Sequence, residues 1–119
     1  MRRRDTGNRG ENLACGYLRK RGYHILETNY RCRHGEIDIV ARHNEYLVFI
    51  EVRTKTGNSY GSPEESITRA KKERLKIIAM HYQQEHKCDE IPLRIDFIAV
   101  ELDEKGRAKR IELIDNAIA

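Results

Sequence analysis

Apolar positions along the chain recur with two different periods, and the change of period separates helices from strands. Across residues 9–21, Leu13, Ala14, Tyr17 and Leu18 make one helical stripe, Asn8 and Glu11 have capping-box spacing, and Gly22 supplies a stop. Residues 23–31 read as a first strand. Residues 36–41 and 46–54 read as two more, joined by the polar stretch Arg42-His43-Asn44-Glu45, which suits a hairpin turn. The run at 46–54 is nearly continuously apolar, as expected of a central strand. Residues 55–61 carry Gly57, Asn58, Ser59 and Gly61 and no apolar period, so a loop follows directly on that strand. Ser62-Pro63-Glu64-Glu65 is a helix-start signature, and the periodicity of Ile67, Ala70, Leu75, Ile78 and Tyr82 predicts one helix running to about His86. Residues 93–101 alternate in part and predict a fourth strand, with 108–114 as a fifth after the turn Asp103-Glu104-Lys105-Gly106. The order αβββαβ, followed by this last strand, predicts a mixed α/β layer in which helices cover a central sheet.

Within these apolar strands sit three carboxylates, Glu36, Asp38 and Glu51. Side chains alternate along a strand, so Glu36 and Asp38 share one face, as do Glu51 and Arg53 on the next strand. An even hairpin loop, either His43-Asn44 or Arg42 through Glu45, sets Glu36 opposite Glu51 and Asp38 opposite Phe49, with all three acids on one side. An odd loop without a bulge would separate them. Acids gathered on a partly buried face repel by about 4 kcal/mol per pair at 4 Å and an effective dielectric of 20, so something must neutralise them. A divalent cation, a basic neighbour such as Arg53 or Lys55, or a raised pKa would each do so. Oxygen donors suit Mg²⁺ or Mn²⁺, which would polarise a phosphodiester oxygen and acidify a water. Glu36 alone also fits a salt bridge at a strand end.

Composition narrows the class. The chain has 119 residues, 39% hydrophobic and 35% charged, which fits one soluble domain spanning 1–119. Its longest apolar stretch, residues 46–50, is too short to cross a bilayer, and the basic start Met1-Arg2-Arg3-Arg4 leads into no secretory segment, so a cytoplasmic location without membrane contact is expected. Cys15, Cys32 and Cys88 are odd in number and widely spaced, which fits reduced thiols, with Cys15 in the core. The five histidines show no HxH or HxxxH spacing, and neither a phosphate-binding glycine loop nor a GxSxG elbow occurs, which argues against zinc, P-loop and serine-hydrolase chemistry. The net charge of +4 permits attraction to nucleic acid, and basic residues cluster at Arg2, Arg3, Arg4 and Arg9, at Arg19, Lys20 and Arg21, and along the second helix at Arg69, Lys71, Lys72, Arg74 and Lys76. Any single cluster also reads as a solvated helix face.

Gly35-Glu36-Ile37-Asp38 with Glu51-Val52-Arg53 resembles the PD-(D/E)XK nuclease pattern. The series GEIDIVA, VFIEVR and GSPEE, with Gly10-Glu11 before it and Arg94-Ile95-Asp96 after it, is similar to the uncharacterised bacterial YraN family over nearly the whole chain. The resemblance implies a restriction-endonuclease-like αβββαβ core, akin to that of Holliday-junction resolvases, with Asp38 and Glu51 as metal ligands and Glu36 as an accessory acid. Such nucleases ordinarily carry lysine two residues after the glutamate, where this chain has Arg53. Arginine can clamp a phosphate but cannot accept a proton near neutral pH. Lys55, two residues further along the same face, is the substitute if the strand extends that far. Glu11 has two readings, a third acid at the metal site as in related resolvases or the capping partner of Asn8. Lys71 and Arg74, flanked by Lys72 and Arg69, are the candidate phosphate contacts, and Arg94 with Asp96 reads as a structural ion pair.

Two functions of different class follow. One is a Mg²⁺- or Mn²⁺-dependent endonuclease acting on DNA, including branched or recombination intermediates, with a homodimer expected by analogy. The other is a nucleic-acid-binding module of the same fold without turnover, which Arg53 favours. A protein-interaction subunit is a third reading, tested by whether DNA binds at low salt.

Overall fold

The computed structural model describes residues 3–57 and 61–114, with side chains from Gly7 onward. Its elements are α1 (Arg3–Lys20), β1 (His24–Cys32), β2 (Gly35–His43), β3 (Tyr46–Thr56), a 3₁₀ turn (Pro63–Ser66), α2 (Arg69–Glu85), β4 (Leu93–Leu102) and β5 (Ala108–Ile114). This is a mixed α/β architecture with the expected αβββαβ order and a fifth strand appended. The side chains of the Arg2–Arg4 cluster and loop positions 58–60 lie outside the described residues.

The strands form one sheet in the order β1-β2-β3-β4-β5, antiparallel except for the parallel β3/β4 pair at its centre. β3 is therefore covered on both faces, which explains its unbroken apolar run. On one face Ala14, Cys15 and Leu18 of α1 pack on Ile39, Val48, Ile50 and Ile98. On the other, Leu75, Ile78, Ala79 and Tyr82 of α2 pack on Ile37, Val40, Phe49 and Phe97. The helix α1 ends as its sequence requires: Gly22 adopts φ 85°, the Gly22 N–H donates to Arg19 and the Tyr23 N–H to Leu18.

Three expectations need correction. First, α1 begins upstream at Arg3, so Asn8 lies inside the helix and is no N-cap. Second, the Ser62 start does not run into α2. Ser62 makes no side-chain capping bond, the 3₁₀ turn closes after Ser66, and Ile67 and Thr68 are extended before α2 begins with Thr68 as its cap, accepting from the Lys71 N–H at 3.2 Å. Ala70 is consequently exposed rather than buried. Third, the hairpin loop is the two-residue turn Asn44-Glu45, with Asn44 at φ 54°, and the pairs run from His43↔Tyr46 to Ile39↔Ile50. The loop is even, as the shared-face argument needs, but the register lies two residues from the expected one.

A buried network closes the sheet end nearest this turn. Asp96, fully buried, accepts from Arg94 Nε at 3.0 Å and from the Tyr23 hydroxyl at 2.9 Å, while the Tyr23 ring stacks on His43. Arg94 and Asp96 thus form the structural pair expected of them.

Candidate functional site

The ladder between β2 and β3 stops at Ile39↔Ile50. One step further, Asp38 faces Glu51 directly, and a side chain takes over from the backbone: the Val52 N–H donates to Asp38 Oδ2 at 2.8 Å. Past this point Gly35–Ile37 and Val52–Thr56 have no ladder between them. A second irregularity fixes the same spot. Ile37 packs toward α2 and Ile39 toward α1, although a regular strand would put both on one face. The change occurs at Asp38, which lies between the pairs Thr28↔Ile39 and Tyr30↔Ile37, level with Asn29 at φ 55°. A short amide side chain tolerates that left-handed conformation better than most.

The split strands open into two adjoining hollows of about 500 and 400 Å³ that share Glu36, Asp38, Val52 and Arg53. The larger is walled by α1, through Asn8 and Glu11, and by Pro63 and Ser66 of the 3₁₀ turn. The smaller is walled by Lys71, Arg74, Leu75 and Ile78 of α2. Lys55 lines the larger hollow because β3 extends to Thr56.

Of the three expected acids, the fold joins two. Glu51 is pushed up to about 8, chiefly by burial and then by its hydrogen bond to Asp38 and the charge of Asp38, against smaller downward pulls from Arg53 and Lys71. With no metal ion bound, the acid pair therefore holds on to a proton even beside Arg53 and Lys71. Glu36 turns outward to pair with Arg31 at 3.0 Å, and its side chain is 57% exposed. Among the described residues, no three His, Cys, Asp or Glu side chains gather closely enough to hold an ion. The expected three-acid convergence is thus a pair, with Glu36 at the rim.

Glu11 points into the cleft. Asn29 donates to its Oε1 at 3.0 Å, and its pKa is raised by burial first and then by the charge of Asp38. With Asn8 inside the helix, the capping role is removed. Arg53 Nη2 donates to Glu51 Oε2 at 2.9 Å, while its Nε is buried without a hydrogen-bond partner among the described residues. Lys71 has its pKa lowered by burial and by the charge of Arg53, partly offset by Glu51. Lys72 and Arg69 are not among the cleft-lining residues, so the basic set of α2 divides into a cleft-lining pair, Lys71 and Arg74, and the rest. Sequence reasoning missed Asn29, the Val52 N–H and the 3₁₀ wall. Only Asn29 carried a local signal, an asparagine inside a strand.

The molecule is thus a mixed α/β protein whose central hairpin splits around a partly buried pair of carboxylates, with basic side chains beside them. Among the described residues, no helix is long and apolar enough to cross a membrane. The sequence profile of the uncharacterised protein family UPF0102 matches residues 10–100, and the chain belongs to that family. It is 50% identical to a UPF0102 protein of Dehalococcoides mccartyi over 116 residues, covering 98% of this chain and 94% of the relative. A UPF0102 protein of Pelotomaculum thermopropionicum is 45% identical over 115 residues, 97% of this chain and 96% of the relative. One from Carboxydothermus hydrogenoformans is 48% identical over 101 residues, 85% and 86% of the two chains.

Proposed function

We propose that the protein is a metal-dependent nuclease of the PD-(D/E)XK type that hydrolyses phosphodiester bonds of DNA. The observation that carries this reading is the Asp38–Glu51 pair, set face to face where the strands part and opening onto a cleft lined by Arg53, Lys55, Lys71 and Arg74. Two carboxylates forced to share a proton are a poor resting arrangement for a core, but a suitable donor set for Mg²⁺ or Mn²⁺, which commonly takes one or two protein carboxylates and fills its shell with water and phosphate oxygens. Asp38 and Glu51 would hold the ion. Bound there, it would polarise a phosphoryl oxygen and lower the pKa of an attacking water.

The chain's own groups supply the rest. The Val52 N–H fixes one Asp38 oxygen and so sets the direction of the other. Arg53, always charged, stabilises negative charge developing on the phosphate but takes no proton. Lys55 and the rim acids Glu36 and Glu11 are the groups left to orient or deprotonate water. Lys71 and Arg74 hold the strand's backbone by charge. A binding module without turnover is the second reading, favoured by the 2.9 Å Arg53–Glu51 contact, in which the site is partly neutralised by its own arginine.

Mn²⁺-soaked crystals and a cleavage assay test the proposal together. The expected result is an anomalous peak between Asp38 and Glu51, with Mn²⁺-dependent cutting of branched or duplex DNA that is lost in Asp38→Asn. A peak without cutting, and DNA association unchanged by Asp38→Asn, would select the binding module. No peak at millimolar Mn²⁺ would end the metal reading.

A further inference from the structure

Lys55, Glu101 and Arg110 form one row across the sheet, because Lys55 pairs with Glu101 in the parallel β3/β4 ladder and Glu101 pairs with Arg110 in the antiparallel β4/β5 ladder. In-register neighbours project to the same side, so the glutamate stands between two cations and can serve either. In the fold it serves Arg110. Arg110 Nε contacts Glu101, Nη1 contacts Glu112, and Nη1 and Nη2 together grip Glu64 of the 3₁₀ turn at 2.9 and 2.8 Å. Lys55 makes no ion pair with any described residue. The partition has a physical reason. A guanidinium presents a planar fork that can satisfy several carboxylates at once, whereas an ammonium is a point charge on a flexible stem. The side chains of Arg110, Glu64 and Glu101 are all partly buried, which favours this ordered arrangement over a solvated one. The electrostatics agree: Glu64 has its pKa lowered, first by the hydrogen bond from Arg110.

The tether also bears on the cleft wall. Among the described residues, the 3₁₀ turn has a short set of its own bonds, Glu65 N–H to Ser62 at 3.2 Å, Ile67 N–H to Glu64 at 3.0 Å and Ser66 Oγ to Pro63 at 2.7 Å. Its tie to β5 runs through Glu64 and Arg110, and its Pro63 and Ser66 line the hollow that Lys55 also lines.

We propose that Arg110 is a positioning residue for the cleft: by engaging Glu101 and Glu64 it leaves the Lys55 amine unpaired toward the bound backbone and holds the 3₁₀ turn in place as the outer wall. The functional consequence rests on the reading that a phosphodiester occupies the cleft. The partition itself can be tested without any substrate.

Reductive methylation with formaldehyde and cyanoborohydride, followed at Lys55 by peptide mass spectrometry, reports whether that amine is free. Arg110→Gln releases Glu101 to Lys55, and labelling of Lys55 should slow by about two- to fivefold, the range an exposed ion pair supports. Removing the acid as well, in Arg110→Gln/Glu101→Gln, should restore the wild-type rate, which general loosening would not do. Arg110→Lys keeps the charge without the fork and serves if Arg110→Gln does not fold, with partial slowing expected. Unchanged Lys55 labelling in a folded Arg110 variant, or slowing that survives Glu101→Gln, would overturn the proposal. Absence of DNA binding by the wild-type chain would instead remove the phosphodiester reading, since the labelling is measured without DNA.

Discussion

At the scale of single residues, the acid pair makes opposite demands on stability and on function. Burial and Asp38 raise the folded-state pKa of Glu51 from 4.5 to about 8, so the folded chain holds this proton more tightly than the unfolded chain does. The stability this contributes is complete below 4.5 and is lost as pH rises through about 8. In chelator, the melting temperature should therefore fall across that window, Glu51→Gln should flatten the profile, and Mg²⁺ should recover stability at its alkaline end because it binds the ionised form. A melting profile of Glu51→Gln as steep as the wild type would remove Glu51 as the source. Asp38 has a second duty, as acceptor for the Val52 N–H where the ladder ends. Asp38→Asn retains an oxygen for that bond and should fold with little loss. Asp38→Ala orphans the donor and should cost about 1–3 kcal/mol in chemical denaturation. Equal stability of the two variants would show that water replaces the bond.

At the scale of elements, the sequence is informative wherever a local rule is also the global one. The helix stop at Gly22 and the apolar continuity of β3 were both legible, because the φ at Gly22 and the burial of β3 on both faces follow from residue type and period. The start of α2 was not. Ser62-Pro63-Glu64-Glu65 satisfies a first turn, but a first turn does not compel a second, and the extended Ile67 and Thr68 intervene before the helix proper. Thermal or urea denaturation should separate the two caps: Thr68→Ala should cost about 1 kcal/mol, whereas Ser62→Ala should be nearly neutral. The reverse ranking would return the cap to Ser62. The hairpin shows the same limit in another form. Parity fixes which face an acid occupies, and so the shared face was readable, but the ladder position depends on which residues take the turn. With Asn44-Glu45 there, Asp38 meets Glu51 rather than Phe49. Glu36 could not be placed from alternation at all, because the pleat breaks at Asp38 level with Asn29.

For the molecule as a whole, the same sheet is closed beside the hairpin turn and open where β2 and β3 part. Around Asp96 the charges are buried and matched by Arg94 and Tyr23. Further along β3, past the point where it parts from β2, the paired acids and the cations beside them line an open cleft, so that stretch has room for an external ion or phosphate to complete the set. The net charge of +4 says little by itself, since basic residues lie on several surfaces, but the fold divides them. Lys71 and Arg74 line the cleft, and Arg69 and Lys72 do not. Counterion release turns that division into a measurement. Each phosphate contact adds about 0.9 to the slope of log affinity against log salt on duplex DNA, so Lys71→Ala and Arg74→Ala should each lower the slope by about one. Arg69→Ala and Lys72→Ala, which remove the same charge from elsewhere on the same helix, should leave it nearly unchanged. Equal losses from all four variants would mean that DNA follows the outer face of α2 and not the cleft, and the acid pair would then lie away from the backbone it is proposed to cut.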